Sequence, residues 1–117
     1  KRMGLSILMT ACYHSKQYIT ADAIEAEYIA PYYGRMEESG LDAFQHLCQM
    51  KDFETYSTNG CKILVASIRS VEQMITLAAR GHAYFTIAPR IAEELIKNEL
   101  TIKAVGEFNE AASKVEV

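Results

Sequence analysis

The 117 residues carry no basic stripe, no long apolar run and no paired-cysteine motif, and each absence removes a class of function. Lysine and arginine are scattered and the net charge is −3. Nucleic-acid surfaces concentrate basic side chains, so no nucleic-acid partner is expected. No apolar stretch approaches the roughly 20 residues that a membrane-crossing helix needs, so no membrane partner is expected either. No secretory-leader pattern opens the chain. The three cysteines, Cys12, Cys48 and Cys61, are odd in number and show no C-x-x-C spacing. Reduced thiols and a cytoplasmic setting are the expectation. His14, His46 and His82 do not cluster in sequence with one another or with carboxylates at ligand spacing, and no metal site is expected.

What is present is ordinary globular material. The apolar fraction is 50% and the charged fraction 23%, enough for one domain with a real core and not for two. The opening Lys1-Arg2-Met3-Gly4 reads as the last turn and glycine stop of a helix whose body is not in the sequence. The expectation is a piece of a longer protein.

The chain is organised around 27–40, EYIAPYYGRMEESG. A short apolar strand at 28–30 runs into Pro31, which has no N–H for a sheet ladder, so the strand ends there. Gly34 is expected to let the backbone turn between Tyr32 and Arg35. Ser39, with Asp42 three residues on, reads as the cap of a helix over 41–51 whose inner stripe is Leu41, Phe44, Leu47 and Cys48. Glu37 and Glu38 read as a solvated loop face.

Around this stretch the pattern alternates. Residues 5–11 (LSILMTA) form an apolar run suited to a strand covered on both faces. Ser15 can cap a helix over 16–25, with Tyr18, Ile19, Ala23 and Ile24 inside. Asn59-Gly60 marks a turn before a strand at 62–66. Ser70 and Gln73 form a capping box for a helix over 71–80, which Gly81 closes. A strand at 83–87, a helix from Pro89 to about 98 and a last helix at 101–114 complete the chain. The last helix carries Val105, Phe108, Ala112 and Val115 on one side.

Strands alternating with helices, without hairpin signals, specify an α/β fold with a parallel sheet and right-handed crossovers. Residues 1–100 supply four βα units and 101–117 a C-terminal helix. Four units are half of a (β/α)8 barrel of about 250 residues. The fold expected is a parallel (β/α) half-barrel. An open four-stranded sheet is the alternative, but it leaves 5–11 and 83–87 as edges too apolar for water.

Thr10, Tyr32, Arg35, Ser67 and Arg69 fall at or just past the carboxyl ends of three successive strands, which converge on one mouth in a barrel. Two guanidinium forks and a hydroxyl match phosphate oxygens, and Ser67 is expected to lie just before a helix N-terminus. The other reading pairs Arg35 with Glu37 or Glu38, and Arg69 with Glu72. Tyr32 is either a general acid/base or a packing aromatic. Tyr33 reads as packing and Cys12 as a buried, inert thiol. A Schiff-base amine must be desolvated to be neutral and nucleophilic. No lysine falls mid-strand or at a strand's carboxyl end, so an amine nucleophile, if the reaction needs one, lies outside this sequence.

The segments TACY, EYIAPYYGR, ILVASIR and HAYFTIAPRIAEEL resemble the small transaldolase family, which includes the bacterial fructose-6-phosphate aldolases. The resemblance runs from Gly4 to about Phe108 and implies strands five to eight, plus the final helix, of the family's TIM (β/α)8 barrel. It implies cleavage or transfer of a dihydroxyacetone unit through a lysine Schiff base, with neither cofactor nor metal, and a homo-oligomer. It places Thr10 and Tyr32 at the chemistry, Ala30 in the pocket wall, and Arg35, Ser67 and Arg69 on the sugar phosphate. The Schiff-base lysine would belong to strand four. A tyrosine at position 32 is the aldolase-like choice, since a phenol can orient the water that releases the ketone; phenylalanine there is transaldolase-like. A non-catalytic half-barrel that binds phosphosugars or assembles with itself is the competing class. Two open edges lead to the expectation of self-association.

Overall fold

The computed structural model describes residues 7–115. Two compact units divide between Ile87 and Ala88. The first contains β1 (Leu8–Cys12), α1 (Lys16–Ala23), β2 (Tyr28–Pro31), α2 (Tyr33–Glu38), α3 (Ala43–Thr55), β3 (Lys62–Val65), α4 (Val71–Ala78) and β4 (Tyr84–Phe85). The second contains α5 (Pro89–Ile96) and α6 (Glu99–Val115).

The four strands form one parallel sheet in the order β1-β2-β3-β4, the α/β half-barrel arrangement. Its register sets Leu8 beside Tyr28 and Tyr28 beside Lys62, then Leu64 beside Tyr84. Side chains alternate between faces along each strand. Ile29, Ile63 and Val65 are buried on the face against which α1 and α3 pack. Each such side chain contributes roughly 1.5–3 kcal/mol of burial. The other face carries Leu8, Tyr28, Lys62, Leu64 and Tyr84. Tyr28 and Tyr84 meet edge to face at 5.9 Å, and the Lys62 ammonium lies 5.6 Å from the Tyr28 ring centre. Leu8 and Tyr84 on this face are 48% and 42% exposed.

Several local expectations change. Residues 5 and 6 lie outside the described residues, and β1 is not covered on both faces. It is an edge strand with β2 as its only neighbour among the described residues, and Leu8, Thr10 and Ala11 are exposed. Ser39 does not cap the following helix. It ends α2, where the Gly40 N–H bonds Glu37 O and the Leu41 N–H bonds Met36 O, with Gly40 at φ +82°. The cap of α3 is Asp42, whose carboxylate accepts from the Gln45 N–H at 3.1 Å. Tyr33–Glu38, read as a turn and loop, is a helix that begins as soon as Pro31 ends β2.

The apolar stripes of the short helices are also rephased. Tyr18 and Ala21 are the buried residues of α1, while Ile19 and Ile24 are exposed. In α4 the sequence spacing points to Val71, Met74, Ile75 and Ala78 as the inner face, but Leu77 is the buried residue and Ile75 is exposed. Eight residues are little more than two turns, so more than one stripe fits the same sequence. The Ser70 cap is present, accepting from the Gln73 N–H at 3.2 Å, but the Gln73 carbonyl oxygen reaches back to Arg69 N rather than Ser70 N.

In the second unit, Pro89 opens α5 at its first turn, where a missing N–H costs nothing. Asn98 accepts from the Thr101 N–H at 3.0 Å at the start of α6. Val105 and Phe108 on α6 are exposed; the Ala112 and Val115 side chains lie outside the described residues. Among the described residues no helix is long and apolar enough to cross a membrane.

Candidate functional site

The carboxyl ends of β1, β2 and β3 are tied together by backbone before any side chain is considered. The Tyr32 N–H donates to Cys12 O at 3.0 Å, and the Ala66 N–H to Pro31 O at 2.9 Å. The Tyr33 N–H donates to Ala66 O at 2.9 Å and the Gly34 N–H to Ser67 O at 2.8 Å. The Arg35 N–H donates to Ser67 Oγ at 3.1 Å. The loop after β3 therefore satisfies the first N–H groups of α2, which a helix cannot satisfy internally. Ser67 does this at φ +61°, in the left-handed region.

This seam explains Gly34. Gly34 is not a turn residue with positive φ; it sits inside α2, pressed against the loop after β3. A Cβ there would collide with Ser67 O and would stand 2.7 Å from Arg69 Cγ and 2.9 Å from Arg69 Nε. Glycine is required by close approach.

Above the seam is a cavity of about 270 Å3 lined by Tyr32, Arg35, Ala66, Ser67 and Arg69. Four of the six residues singled out in the sequence thus line one space. Thr10 reaches it through Tyr32: the two hydroxyls share a hydrogen bond of 3.1 Å. Ala11, at φ +53°, marks the register shift between Met9 and Cys12 just past Thr10. Ala30 is 5% exposed within β2 and does not line the cavity. Ala66 lines it instead.

The two arginines are held differently. The Arg35 guanidinium lies 5.6 Å from the centre of the Tyr32 ring, and its pKa is held above the ordinary value, chiefly by the nearby Tyr13 hydroxyl. The Arg69 fork grips Glu38, Nε at 3.1 Å and Nη2 at 3.4 Å from the two carboxylate oxygens. The pairing expected with Glu72 gives way to Glu38 because α2 brings its acidic end over the loop after β3. Glu37 accepts from the Gln73 amide at 2.5 Å on the same side. Glu37 and Glu38 are therefore engaged residues of α2 rather than a free loop face. Ser67 does not precede a helix directly: α4 is capped by Ser70, three residues later. Its hydroxyl accepts from Arg35 N and keeps its own proton to donate.

Neighbouring groups read as packing. Burial pushes the Tyr33 phenol up to about 12. It likewise raises the Cys12 thiol, which donates to His14 O at 3.4 Å. The histidines correct the sequence reading in one respect. His14 and His46 do cluster, with ring centres 4.3 Å apart, because the loop after β1 and the first turns of α3 converge. His46 Nδ1 accepts from Ser15 N at 3.2 Å and His14 Nδ1 from Lys16 N at 3.0 Å. Among the described residues no group of three or more His, Cys, Asp or Glu side chains is placed to hold a metal ion. Of the residues that shape the site, sequence reasoning missed Tyr13 and the engagement of Glu38. Tyr13 follows a strand's carboxyl end as Tyr32 does, so the same rule points to it.

The sequence profile of the Transaldolase/Fructose-6-phosphate aldolase family matches residues 1–117. The chain belongs to that family. It is 31% identical over 107 residues to a probable transaldolase of Bartonella henselae, covering 92% of this chain and 49% of that protein. It is 30% identical over 101 residues to a probable transaldolase of Maricaulis maris, covering 86% and 46%. A probable transaldolase of Chelativorans sp. is 29% identical over 105 residues, covering 90% and 48%. The chain thus spans about half the length of the transaldolase relatives it matches.

Proposed function

We propose that this chain supplies the phosphate-gripping, water-orienting half of a Schiff-base aldolase that cleaves fructose 6-phosphate to dihydroxyacetone and glyceraldehyde 3-phosphate. The observation that carries the reading is the shared cavity of Tyr32, Arg35, Ser67 and Arg69 at three strand ends. Arg35, Arg69 and the Ser67 hydroxyl offer donors to a phosphate dianion. The Tyr32 phenol, paired with Thr10 at 3.1 Å, can hold the water that attacks the dihydroxyacetone imine and can pass it a proton. Lys62, the only lysine within a described strand, opens β3 at the end remote from this cavity. The amine is therefore assigned to polypeptide outside these residues, and this chain alone is expected to bind phosphosugar without turning it over. The odd cysteine count and the lack of a C-x-x-C spacing support a cytoplasmic setting for this reading.

The second reading is transfer of the dihydroxyacetone unit to another aldehyde, favoured by the three relatives that are called probable transaldolases. The two separate on Tyr32. In the full-length protein, cleavage of fructose 6-phosphate should fall about a hundredfold or more in Tyr32→Phe, the size of a general acid/base contribution. Transfer to an added aldehyde should survive. Equal activities before and after the substitution would reject the aldolase assignment.

This reading includes self-association of the 117-residue chain. β1 and β4 each have one strand neighbour among the described residues, and the exposed Leu8 and Tyr84 share a face. A second copy related by a two-fold axis along the strands would set β4 of one against β1 of the other, in parallel. Light scattering at micromolar concentration should give a dimer or larger species; a monomer would end this part of the proposal.

A further inference from the structure

We infer that Gln73 is a positioning residue for Arg69: its side-chain amide ties the Arg69 backbone to the acidic end of α2 and so holds the guanidinium at the cavity. The inference rests on the phosphosugar reading above and adds a residue to it. Gln73 lies in the first turn of α4 and does not line the cavity. Its Oε1 accepts from the Arg69 N–H at 2.7 Å. Its Nε2 donates to Glu37 Oε1 at 2.5 Å. Its own N–H donates to the Ser70 hydroxyl at 3.2 Å, which fixes the backbone from which the side chain starts. The amide is thus oriented at both ends. Turning it over would set its NH2 against a backbone N–H and its carbonyl oxygen against a carboxylate, two repulsive contacts in place of two bonds.

Glu37 and Glu38 are successive residues at the end of α2. The first receives Gln73, and the second receives the Arg69 fork through Nε at 3.1 Å and Nη2 at 3.4 Å. Backbone and side chain of Arg69 are therefore both referred to one helix end. Ser67 is held at the other end of α2, by the Gly34 and Arg35 N–H groups. The loop after β3 thus presents two phosphate donors on separate supports. The Arg69–Glu38 pair is exposed, and exposed ion pairs order a long side chain weakly. A side chain ordered afresh on each binding event makes a weaker contact. Gln73 lessens that loss by fixing the point from which the Arg69 side chain springs.

Two measurements on the 117-residue chain test this. Titration with inorganic phosphate should show Gln73→Leu binding about two- to tenfold more weakly than the parent, the effect of one hydrogen bond lost at the site. On an Arg69→Ala background, which keeps the backbone N–H that Gln73 holds, the same substitution should lower Tm as before but cause no further loss of affinity. Exchanging the partners supplies a rescue. Gln73→Glu keeps an acceptor for the Arg69 N–H but sets a carboxylate against Glu37, and should also weaken binding. Adding Glu37→Gln restores the donor–acceptor match with its polarity reversed and the parent's net charge, and should recover most of the lost affinity. Hydrogen exchange at the Arg69 amide, followed by NMR without ligand, should be slow in the parent, faster in Gln73→Leu and slow again in the double exchange. Unchanged affinity in Gln73→Leu, a loss that persists without Arg69, a double exchange that recovers nothing, or unchanged Arg69 exchange would overturn the positioning role. Phosphate binding that ignores both Arg35→Ala and Arg69→Ala would instead refute the phosphosugar reading, while the exchange measurement would still decide whether Gln73 holds Arg69.

Discussion

Replacing Gly34 with alanine tests the seam between α2 and the loop after β3. On helix propensity alone the change should stabilise the chain by roughly 1 kcal/mol, since Gly34 lies inside α2. The local packing predicts the opposite sign. The new methyl would overlap Ser67 O and stand 2.7 Å from Arg69 Cγ, tighter than side chains tolerate. Ser67 O belongs to backbone that also accepts from the Gly34 N–H at 2.8 Å, so it cannot step aside without losing that bond. Overpacking costs about 1–3 kcal/mol and one weakened hydrogen bond about 1 kcal/mol. After the propensity gain, a net loss of roughly 1–3 kcal/mol remains, a fall in Tm of about 4 to 12 °C for a chain of this size. Arg69 and Ser67 would be displaced together, so phosphate affinity should fall in parallel. Thermal unfolding followed by circular dichroism, with phosphate titration on the same sample, reads both. A Gly34→Ala chain with an unchanged or raised Tm would refute the close approach.

Three further outcomes follow from neighbouring contacts. Glu38→Gln removes the anion on Arg69; the exposed pair is worth about 0–1 kcal/mol, so phosphate binding should tighten by up to about fivefold by calorimetry. Tyr18→Phe removes the hydroxyl that donates to the buried Cys61 O at 2.5 Å; leaving that carbonyl unpaired should cost about 1–3 kcal/mol in urea unfolding. His82 is buried, bonds Leu47 O through Nε2 at 3.2 Å, and has its pKa lowered chiefly by desolvation. Below about 6.5 the unfolded chain takes up a proton that the folded His82 resists. Stability should therefore fall as pH drops from about 6.5 towards the lowered folded value and be unaffected by His82 above it. His82→Leu should flatten that part of the urea-unfolding pH profile; an unchanged slope would show that His82 does not titrate differently on folding.

Much of the architecture was legible because its signals are local and strong. Pro31 ends β2 by lacking a donor, and alternating strand and helix patterns gave the parallel sheet. Ser70 with Gln73 marked the start of α4. The misreadings share a cause: contacts across chain distance override a local pattern. Ser39 and Asp42 fit a capping box, yet α2 consumed Ser39 as its end because the loop after β3 supplies partners for its first N–H groups. Gly34 looked like a turn because its neighbour, Ser67 O, lies thirty-three positions away in the sequence. Glu38 was read as solvated because its partner Arg69 is on another strand's loop. His14 and His46 are likewise far apart in sequence and adjacent in space. At the site, residue types and strand ends were readable; which side chain holds each arginine was not.

On the proposed function, the covalent step falls to an amine outside these 117 residues and the ligand's phosphate to residues within them. Borohydride trapping of the full-length protein with fructose 6-phosphate, followed by peptide mass mapping, tests this directly. The label should fall on a lysine outside this chain. A label on Lys16, Lys51, Lys62 or any other lysine of this chain would contradict the account.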